Sequence, residues 1–351
     1  MRSVELQIHD VAFGGKGVAR DEGKAVFVPF TIEGERVTAE IIREKKQFAE
    51  AELVALLDLS SHRATPECPY FGRCGGCSYQ HIAYPHQLEL KSRQVEQAMR
   101  RIGRMSEPPM RPIIPSPLPY AYRNRITVHA EDDIVGFYRR DAHELMDIER
   151  CPIAMPEVNE ALARLRAGKV RDGHYTLRAH SGPRVFAQTN EGVAESLANL
   201  IVDIFVDPKK LLIDAFCGAG FFSKRLTSHF ERVVGIDWDR FAIEAAQKTA
   251  KENEFYIAGD VTTELRFLLQ QSDLELTALI ADPPATGLTS EIRRTILEAA
   301  PQTMIYVSCN PPTLARDLAE LQKRFQVISI TPLDMFSQTA EIEVLAHLQL
   351  L

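Results

Sequence analysis

The sequence predicts an α/β protein in which a small β-barrel precedes a domain built on a parallel sheet. Before residue 58, short runs rich in Val, Ile and Phe, such as "KAVFVPF" and "ERVTAEII", alternate with glycine-bearing turns, which is typical of a small barrel. From about residue 195, the apolar runs "KLLIDAF", "VVGID", "ALIADPP" and "MIYVSC" alternate with helical stretches. That alternation indicates a parallel sheet with helices on both faces.

Composition and charge exclude several classes of protein. The 351 residues exceed one ordinary domain, and the 45% hydrophobic content is that of a globular chain. No apolar run is long enough for a membrane span, and the start lacks a secretory signal pattern. We therefore expect a cytoplasmic protein with no membrane contact, in which cysteines act as ligands or nucleophiles.

The stretch between the predicted barrel and the parallel sheet is locally basic, although the net charge is −7. Lys91–Arg125 carries eight cations and two carboxylates, enough to neutralise several phosphates. A solvated helix face followed by a linker is an equally good interpretation of the charge. The helix predicted from Pro85 to Arg101 cannot continue through "PPMRPIIPSPLP", because proline removes the backbone donor that a helix needs. A second helix is predicted over "PEVNEALARLRAG", ending at Gly168.

The first strand of the parallel sheet ends in a glycine loop, "DAFCGAGFF". Gly218 and Gly220 allow a tight turn and close approach to a ligand, but Ser223 stands where a dinucleotide-binding loop has its third glycine. Asp237 ends the next strand, where a carboxylate can accept hydrogen bonds from ribose, and Asp260 could meet an adenine edge. This pattern favours S-adenosylmethionine. The alternative is an α/β domain with ordinary turn glycines and capping aspartates.

Two further strand ends carry reactive or polar groups. Asp282 precedes two prolines in "ADPPATG", and Cys309 ends a strand in "YVSCNPPTLARD". Residues at this edge of an open α/β sheet lie where ligands bind, and a helix N-terminus lowers the pKa of a nearby thiol. Cys309 could instead be a buried small hydrophobe, but its neighbours Ser308 and Asn310 indicate a turn and favour a nucleophile.

Four of the six cysteines have the spacing of a metal or cluster site. Cys68, Cys74 and Cys77 follow the pattern C-x5-C-x2-C, and Cys151 precedes a proline far along the chain. Structural zinc sites usually combine two close pairs, whereas an iron–sulfur cluster is held by four Cys thiolates. The spacing therefore favours an iron–sulfur cluster, with zinc as the alternative. We expect the cluster to have a structural role, and redox sensing is the alternative role.

The motifs together resemble a known family. "CPYFGRCGGCSYQH", "YRNR", "FAQTN", "DAFCGAGFF", "YVSCNPPTLARDL" and "DMFSQTAEIEVL" occur in the order found in RNA 5-methyluridine methyltransferases, and the resemblance covers essentially the whole chain. Those enzymes methylate uracil C5 in ribosomal or transfer RNA (rRNA or tRNA) with S-adenosylmethionine. The resemblance implies a TRAM-like, OB-like RNA-binding barrel at 1–57, a shortened central region with a [4Fe–4S] cluster at 58–190, and a Rossmann-like methyltransferase domain at 191–351. We expect a monomer.

The resemblance also implies roles for individual residues. Cys309 would be the nucleophile and Glu343 the general base, although a solvent-facing strand carboxylate would explain Glu343 equally well without the resemblance. Cys217 is expected to pack against the cofactor and not to react. The residues expected to bind S-adenosylmethionine or line its site are Gln188, Phe216, Gly218, Gly220, Asp237, Asp260 and Asp282.

Three features depart from the family pattern. Ala285 stands where the family usually has arginine, Glu341 where histidine is common, and the stretch from Cys151 to Gln188 is short. The loss of a cation could weaken RNA binding, and Glu341 could shift the pKa of the base. Two rival hypotheses therefore remain: a homologue that binds RNA but has lost catalysis, and an iron–sulfur methyltransferase or redox protein that acts on something other than RNA.

Overall fold

A computed structural model describes residues 2–140, 142–180, 188–205 and 209–351. The packing divides the chain into two units. The first combines the chain up to Gln94 with Leu118–His180 and Phe336–Glu341, and the second combines Val95–Pro117, the described residues between 188 and 335, and Ile342–Leu351. The domain boundaries 1–57, 58–190 and 191–351 stay a prediction. None of the described helices is long and apolar enough to cross a membrane.

Six strands form the N-terminal sheet. They are β1 (Arg2–Gln7), β2 (Asp10–Val11), β3 (Lys16–Asp21), β4 (Lys24–Pro29), β5 (Arg36–Glu44) and β6 (Phe48–Asp58). Their hydrogen-bonded order is β1-β5-β6-β4-β3-β2, yet β1 also contacts β3 near the other end. The sheet therefore curls around an apolar core that includes Ile8, Val28 and Val37. The predicted small N-terminal β domain is confirmed.

A long helix, α1 (Tyr84–Arg101), is followed by a small four-stranded sheet. The sheet and its helix consist of β7 (Arg125–Glu131), β8 (Ile134–Tyr138), β9 (Leu145–Asp147), α2 (Pro156–Ala167) and β10 (Gly173–Arg178). The strand order is β10-β7-β8-β9, all antiparallel. Both predicted helices are confirmed, and Gly168 closes α2 as expected.

The C-terminal part alternates strands and helices. The elements are α3 (Glu191–Ile204), β11 (Lys209–Ala215), α4 (Phe221–Leu226), β12 (Phe230–Asp237), α5 (Arg240–Gln247), β13 (Glu254–Ala258), α6 (Val261–Gln270), β14 (Thr277–Ala281), α7 (Ser290–Ala299), β15 (Thr303–Ser308), α8 (Pro311–Leu321), β16 (Phe325–Leu333) and β17 (Glu343–Leu350). The strand order is β13-β12-β11-β14-β15-β17-β16. The predicted parallel sheet of β11 to β15 is confirmed, and β17 enters it antiparallel to β15 and β16.

The sheet is buried on both faces, which explains why its strands are near-continuous apolar runs. Every residue of β14 and of β15 is buried. Because β11, β12, β13, β14 and β15 run parallel, their carboxyl ends meet at one edge. Polar residues that follow these strands are therefore brought together at that edge.

A buried carboxylate, Asp317 on α8, holds the loop that follows β14. Its Oδ2 accepts hydrogen bonds from the Leu288 amide at 2.8 Å and from the Tyr306 hydroxyl at 2.7 Å. Its Oδ1 accepts from the guanidiniums of Arg293 at 3.0 Å and Arg316 at 2.9 Å. Asp317 is fully buried, so these four donors would lose a shared acceptor if the carboxylate were removed. The network ties α8 to the loop that contains Asp282.

We expect Asp317→Ala to lower the free energy of unfolding by about 3–5 kcal/mol, because it leaves a nearly buried arginine and two buried donors without this acceptor. Urea denaturation measures the change. The matched control is Glu298→Ala, which removes an exposed partner of Arg294 on α7 and should change stability by less than ~1 kcal/mol. Equal effects of the two substitutions would contradict the assignment.

Candidate active site

Cys309 lies directly after β15, at the carboxyl edge of the sheet. Asn310 caps α8, accepting from the Thr313 amide at 3.2 Å, and two prolines follow at the first helical positions. The Cys309 side chain is partly exposed, not buried. It therefore has the position expected of a nucleophile beside a helix N-terminus.

Strand pairing brings Glu343 beside Cys309. β17 runs antiparallel to β15 with Val344 opposite Ser308. Cys309 directly follows Ser308 at the end of β15, and Glu343 directly precedes Val344 at the start of β17. The two residues are therefore neighbours across the strands. Glu343 is only 4% exposed, which disagrees with a solvent-facing strand carboxylate.

The glycine loop follows β11 and is held in left-handed backbone conformations. Gly218 and Gly220 have φ of 52° and 81°, and Phe216 has φ of 66°. Such a conformation is strained for a bulky residue and is typical of functional sites. At Gly220 a Cβ would lie 2.7 Å from the Tyr256 hydroxyl, so glycine is required there. Ser223 replaces the third glycine and donates its amide and hydroxyl protons to Asp214 at 3.0 and 2.6 Å.

Asp237 and Asp260 differ in surroundings. Asp237 is buried, and its two carboxylate oxygens accept from the Gly218 and Asp239 amides, each at 2.8 Å. Each oxygen keeps a lone pair that could accept from a ligand hydroxyl. Asp260 is exposed and caps α6 by accepting from the Thr263 amide at 2.9 Å. Capping is the contact that the structure shows for Asp260, and its role at an adenine edge stays a prediction.

Three carboxylates meet where β11, β12 and β14 end. Burial raises the pKa of Asp214 to about 7, with a further contribution from Asp237. Burial also raises the pKa of Asp282 to about 7, and the charges of Asp214 and Asp237 add to this. The Asp282 amide bonds to the Ala215 carbonyl at 3.3 Å, which keeps the strand ends together. A cation in this crevice would relieve the repulsion between the carboxylates.

Asp214 is a candidate site residue that the sequence interpretation missed. It is fully buried, and its Oδ1 has no hydrogen-bond partner among the described residues. An unpaired buried carboxylate oxygen is costly unless a ligand satisfies it. The signal was present in the sequence, because Asp214 is the strand-end carboxylate immediately before the glycine loop.

For two other residues of the sequence analysis, Gln188 and Cys217, the structure gives the surroundings but no contact with a ligand. Gln188 is partly buried and precedes the helix cap Asn190, whose side chain bonds to Ser116 at 2.8 Å; its contact with a ligand stays a prediction. Cys217 is 6% exposed and packs with Ile243, Ala246 and Tyr256 in a small apolar cluster. Burial raises the pKa of the Cys217 thiol, so it is a poor nucleophile.

The four clustered cysteines share a separate cavity within the first unit. Cys68, Cys74, Cys77 and Cys151 line a space of about 260 Å³. Burial, with smaller contributions from the neighbouring thiols, raises the pKa of Cys77 to about 12 and that of Cys151 to about 11. In the described part of the chain, no group of three or more His, Cys, Asp or Glu side chains is arranged to hold a metal ion. The structure therefore brings the four thiols to one cavity without forming a compact single-ion site.

Side-chain amides hold the backbone at two of the four cysteines. The Cys68 amide donates to the Gln80 side chain at 3.1 Å, and the Cys151 amide donates to Asn159 at 2.8 Å. Asn159 in turn donates to the Cys151 carbonyl at 3.0 Å. Both ends of the set are therefore held by side-chain amides.

Comparison with known proteins agrees with this geometry. The family model described as tRNA (uracil-5-)-methyltransferase matches residues 167–350, and the TRAM domain model matches residues 2–54. An uncharacterized RNA methyltransferase of Bdellovibrio bacteriovorus is 31% identical, over 99% of this chain and 95% of its own length. Another from Protochlamydia amoebophila is 30% identical, over 99% of this chain and 97% of its own length.

A solved structure shares the fold. The tRNA (uracil-54, C5)-methyltransferase of Pyrococcus abyssi, in complex with S-adenosyl-L-homocysteine, aligns with a TM-score of 0.74 and 22% identity, and covers 98% of this chain and 100% of its own. This likeness shows an α/β methyltransferase fold. From the match to its family model and the identity with its relatives, the chain belongs to the tRNA (uracil-5-)-methyltransferase family and carries a TRAM domain at residues 2–54.

Proposed function

We propose that this protein transfers a methyl group from S-adenosylmethionine to C5 of a uridine in rRNA or tRNA through a covalent bond between Cys309 and uracil C6. The observation that carries the proposal is the position of Cys309 beside the buried Glu343 at the carboxyl edge of the sheet. This pairing provides a nucleophile and a base on adjacent strands, as covalent catalysis requires.

Cys309 starts the reaction. Its thiolate adds to C6 of the uracil, and the electrons of the C5=C6 bond move towards O4, which makes C5 an enolate-like nucleophile. S-adenosylmethionine, when bound, would supply a methyl group on a positively charged sulfur. The bond from C5 to the methyl carbon forms as the carbon–sulfur bond breaks, and S-adenosyl-L-homocysteine leaves. The target base must leave its stack to reach the thiol, which agrees with the partial exposure of Cys309.

Glu343 completes the reaction. Its carboxylate removes the proton from C5 after methylation, and the electrons of that C–H bond reform the C5=C6 double bond. The same step breaks the bond between Cys309 and C6 and restores the free thiolate. The burial of Glu343 and its position beside Cys309 support this role, because a general base must lie within reach of the proton that it removes.

The carboxylate crevice fits the cationic methyl donor. Asp282 would face the positive charges of S-adenosylmethionine, the fully buried Asp214 would add its negative charge without touching the ligand, and Asp237 would accept from its ribose. The unpaired Oδ1 of Asp214 and the raised pKa values of Asp214 and Asp282 support a cationic ligand. Phe216, Gly218 and Gly220 would shape the pocket, and we propose that Gln188 and Asp260 complete it.

A [4Fe–4S] cluster fits the cysteine cavity. Four thiols around about 260 Å³ suit a cluster in which each thiolate binds a different iron, since the sulfurs then stand further apart than around one ion. The raised thiol pKa values mean that thiolates there need nearby positive charge, which iron would supply. We assign Cys68, Cys74, Cys77 and Cys151 as the ligands and give the cluster a structural role.

We propose that residues 1–57 and 58–190 form RNA-binding and iron–sulfur domains before a methyltransferase domain at 191–351. The TRAM match supports the first boundary. A cytoplasmic monomer remains the expected working form.

Substitution separates the roles of the two catalytic residues. Glu343→Gln should accumulate a covalent protein–RNA complex that survives a denaturing gel, because the C5 proton cannot leave. Cys309→Ala should form no complex and lose more than about a thousandfold in methyl transfer. Radiolabelled RNA measures the covalent complex, and a tritiated methyl donor measures methyl transfer.

The control for this experiment is Glu341→Gln, two residues away and exposed, which should release product without accumulating the complex. A complex formed by Cys309→Ala, or full turnover by Glu343→Gln, would refute the assignment. RNA binding by the wild type with no methyl transfer would instead favour the homologue that has lost catalysis.

Asp214 should make the stability of the protein depend on pH. Because the pKa of Asp214 is raised from 3.8 to about 7, the native state holds more protons than the unfolded state between these values. The contribution of Asp214 to the stability of the ligand-free protein should therefore fall as pH rises from about 4 to 7. Asp214→Asn should be more stable than the wild type at pH 8 but not at pH 4, while binding S-adenosylmethionine about tenfold or more weakly.

Urea denaturation at the two pH values and calorimetry measure these effects, and the single tryptophan, Trp238, beside Asp237 offers a fluorescence readout. The control is the exposed Asp273→Asn, which should show neither effect. Unchanged affinity in Asp214→Asn would remove Asp214 from the site.

The proposed cluster in the cysteine cavity can be tested through the iron content of the protein. Protein purified without oxygen should contain about four irons per chain and absorb broadly in the visible range. Cys151→Ser should lose most of that iron, whereas Cys217→Ser, whose thiol lies in another unit, should retain it. One tightly bound zinc and no iron would refute the cluster.

A further inference from the structure

Two side-chain amides support the backbone of the proposed cluster ligands in matching ways. The Gln80 Oε1 accepts from the backbone amide of Cys68 at 3.1 Å, and the Asn159 Oδ1 accepts from that of Cys151 at 2.8 Å. The nitrogens of the two side chains differ. The Asn159 Nδ2 donates to the backbone carbonyls of Cys151 and Ala154, each at 3.0 Å. Asn159 therefore completes its hydrogen bonds without a ligand.

The side-chain nitrogen of Gln80 is in a different situation. Gln80 is only 2% exposed, and its Nε2 has no hydrogen-bond partner among the described residues. Gln80 lines the cysteine cavity, whereas Asn159 is not among the described residues that line it. Because a buried donor without an acceptor is destabilising, folding alone does not explain this nitrogen.

The sulfurs of the cavity identify the missing acceptor. Burial raises the pKa of all four thiols, and hydrogen-bond donors act against this effect. At three of the sulfurs the donors are backbone amides, such as that of Gly76 at 3.4 Å from the Cys74 Sγ. At Cys77 the group that acts in this way is the Gln80 side chain, which lies near the thiol without completing a hydrogen bond. A thiolate would complete it, because an anion is the stronger acceptor.

We propose that the Gln80 Nε2 donates a hydrogen bond to the Cys77 thiolate of the iron–sulfur cluster and thereby raises the reduction potential of the cluster. This role rests on the proposed [4Fe–4S] cluster. Hydrogen bonds to the sulfurs are one of the factors that set the potential of such clusters. They stabilise the reduced cluster more than the oxidised one, because the reduced cluster carries one more negative charge.

Gln80→Met keeps the length of the side chain but removes the donor. It should shift the equilibrium between oxidised and reduced cluster about tenfold towards the oxidised form, which is ~59 mV for one electron. The substitution also removes the acceptor of the Cys68 amide, so we expect some loss of iron as well. Redox titration of anaerobically purified protein, followed by the EPR signal of the reduced cluster, measures the potential.

Asn159→Leu is the matched control, since it removes the same kind of backbone support at Cys151 but no donor from the cavity. It should lower the iron content without shifting the potential of the clusters that remain. Gln87→Met is a second control, because Gln87 is equally buried but donates to two backbone carbonyls. It should weaken the fold in urea denaturation and leave the potential unchanged.

A measurement on the wild type does not require any variant to keep its cluster. Gln80 is the glutamine among the described residues that line the cavity. In protein whose glutamine side chains carry a heavy nitrogen isotope, pulsed EPR of the reduced cluster should therefore detect coupling to that nitrogen. If Gln80→Met retains no cluster, this coupling decides the outcome.

Three results would overturn the role of Gln80 and leave the cluster in place. They are an unchanged potential in Gln80→Met, an equal shift in Asn159→Leu, and no nitrogen coupling in the wild type. Absence of iron from the anaerobically purified wild type would instead remove both the cluster and this role of Gln80. The proposed methyl transfer would stand in either case, because it is tested separately at Cys309 and Glu343.

Discussion

The antiparallel entry of β17 beside β15 is the constraint on which the candidate active site depends. Without it, Glu343 would not lie beside Cys309 at the end of β15. The pairing of Ser308 with Val344 is enforced by burial, since a slip of one residue would turn every side chain of β17 to the opposite face. The same ladder that stabilises the sheet therefore also sets the position of Glu343.

The carboxylates at the carboxyl edge of the sheet lower the stability of the ligand-free fold. Asp214, Asp237 and Asp282 repel one another where water is scarce, and burial raises the pKa values of two of them to about 7. Asp317 compensates nearby, because its four donors hold the loop after β14 against α8. The crevice is therefore held in place by hydrogen bonds, but its negative charges lack positive partners among the described residues. This suits a small cationic ligand.

The first unit shows a similar separation of structure and chemistry. One face of its small sheet packs on α2 and forms an ordinary apolar core. Other residues of this unit have positions that core packing does not explain. These are the four thiols around one cavity and the arginine and histidine pairs across β7 and β10. Both sets bring like groups together from segments that are far apart in the chain.

The sequence by itself determined the strand–helix order, the glycine loop and the strand-end positions of Asp237, Asp282 and Cys309, because these follow from local periodicity and turn chemistry. It could not separate a capping role from a ligand role for Asp260. It placed Glu343 only through resemblance to a family. Only the tertiary structure decided which strand stands beside Cys309, that Asp214 is buried with an unpaired oxygen, and that Arg178 faces Arg125. These facts depend on pairing between segments far apart in the chain, and local sequence does not encode that register.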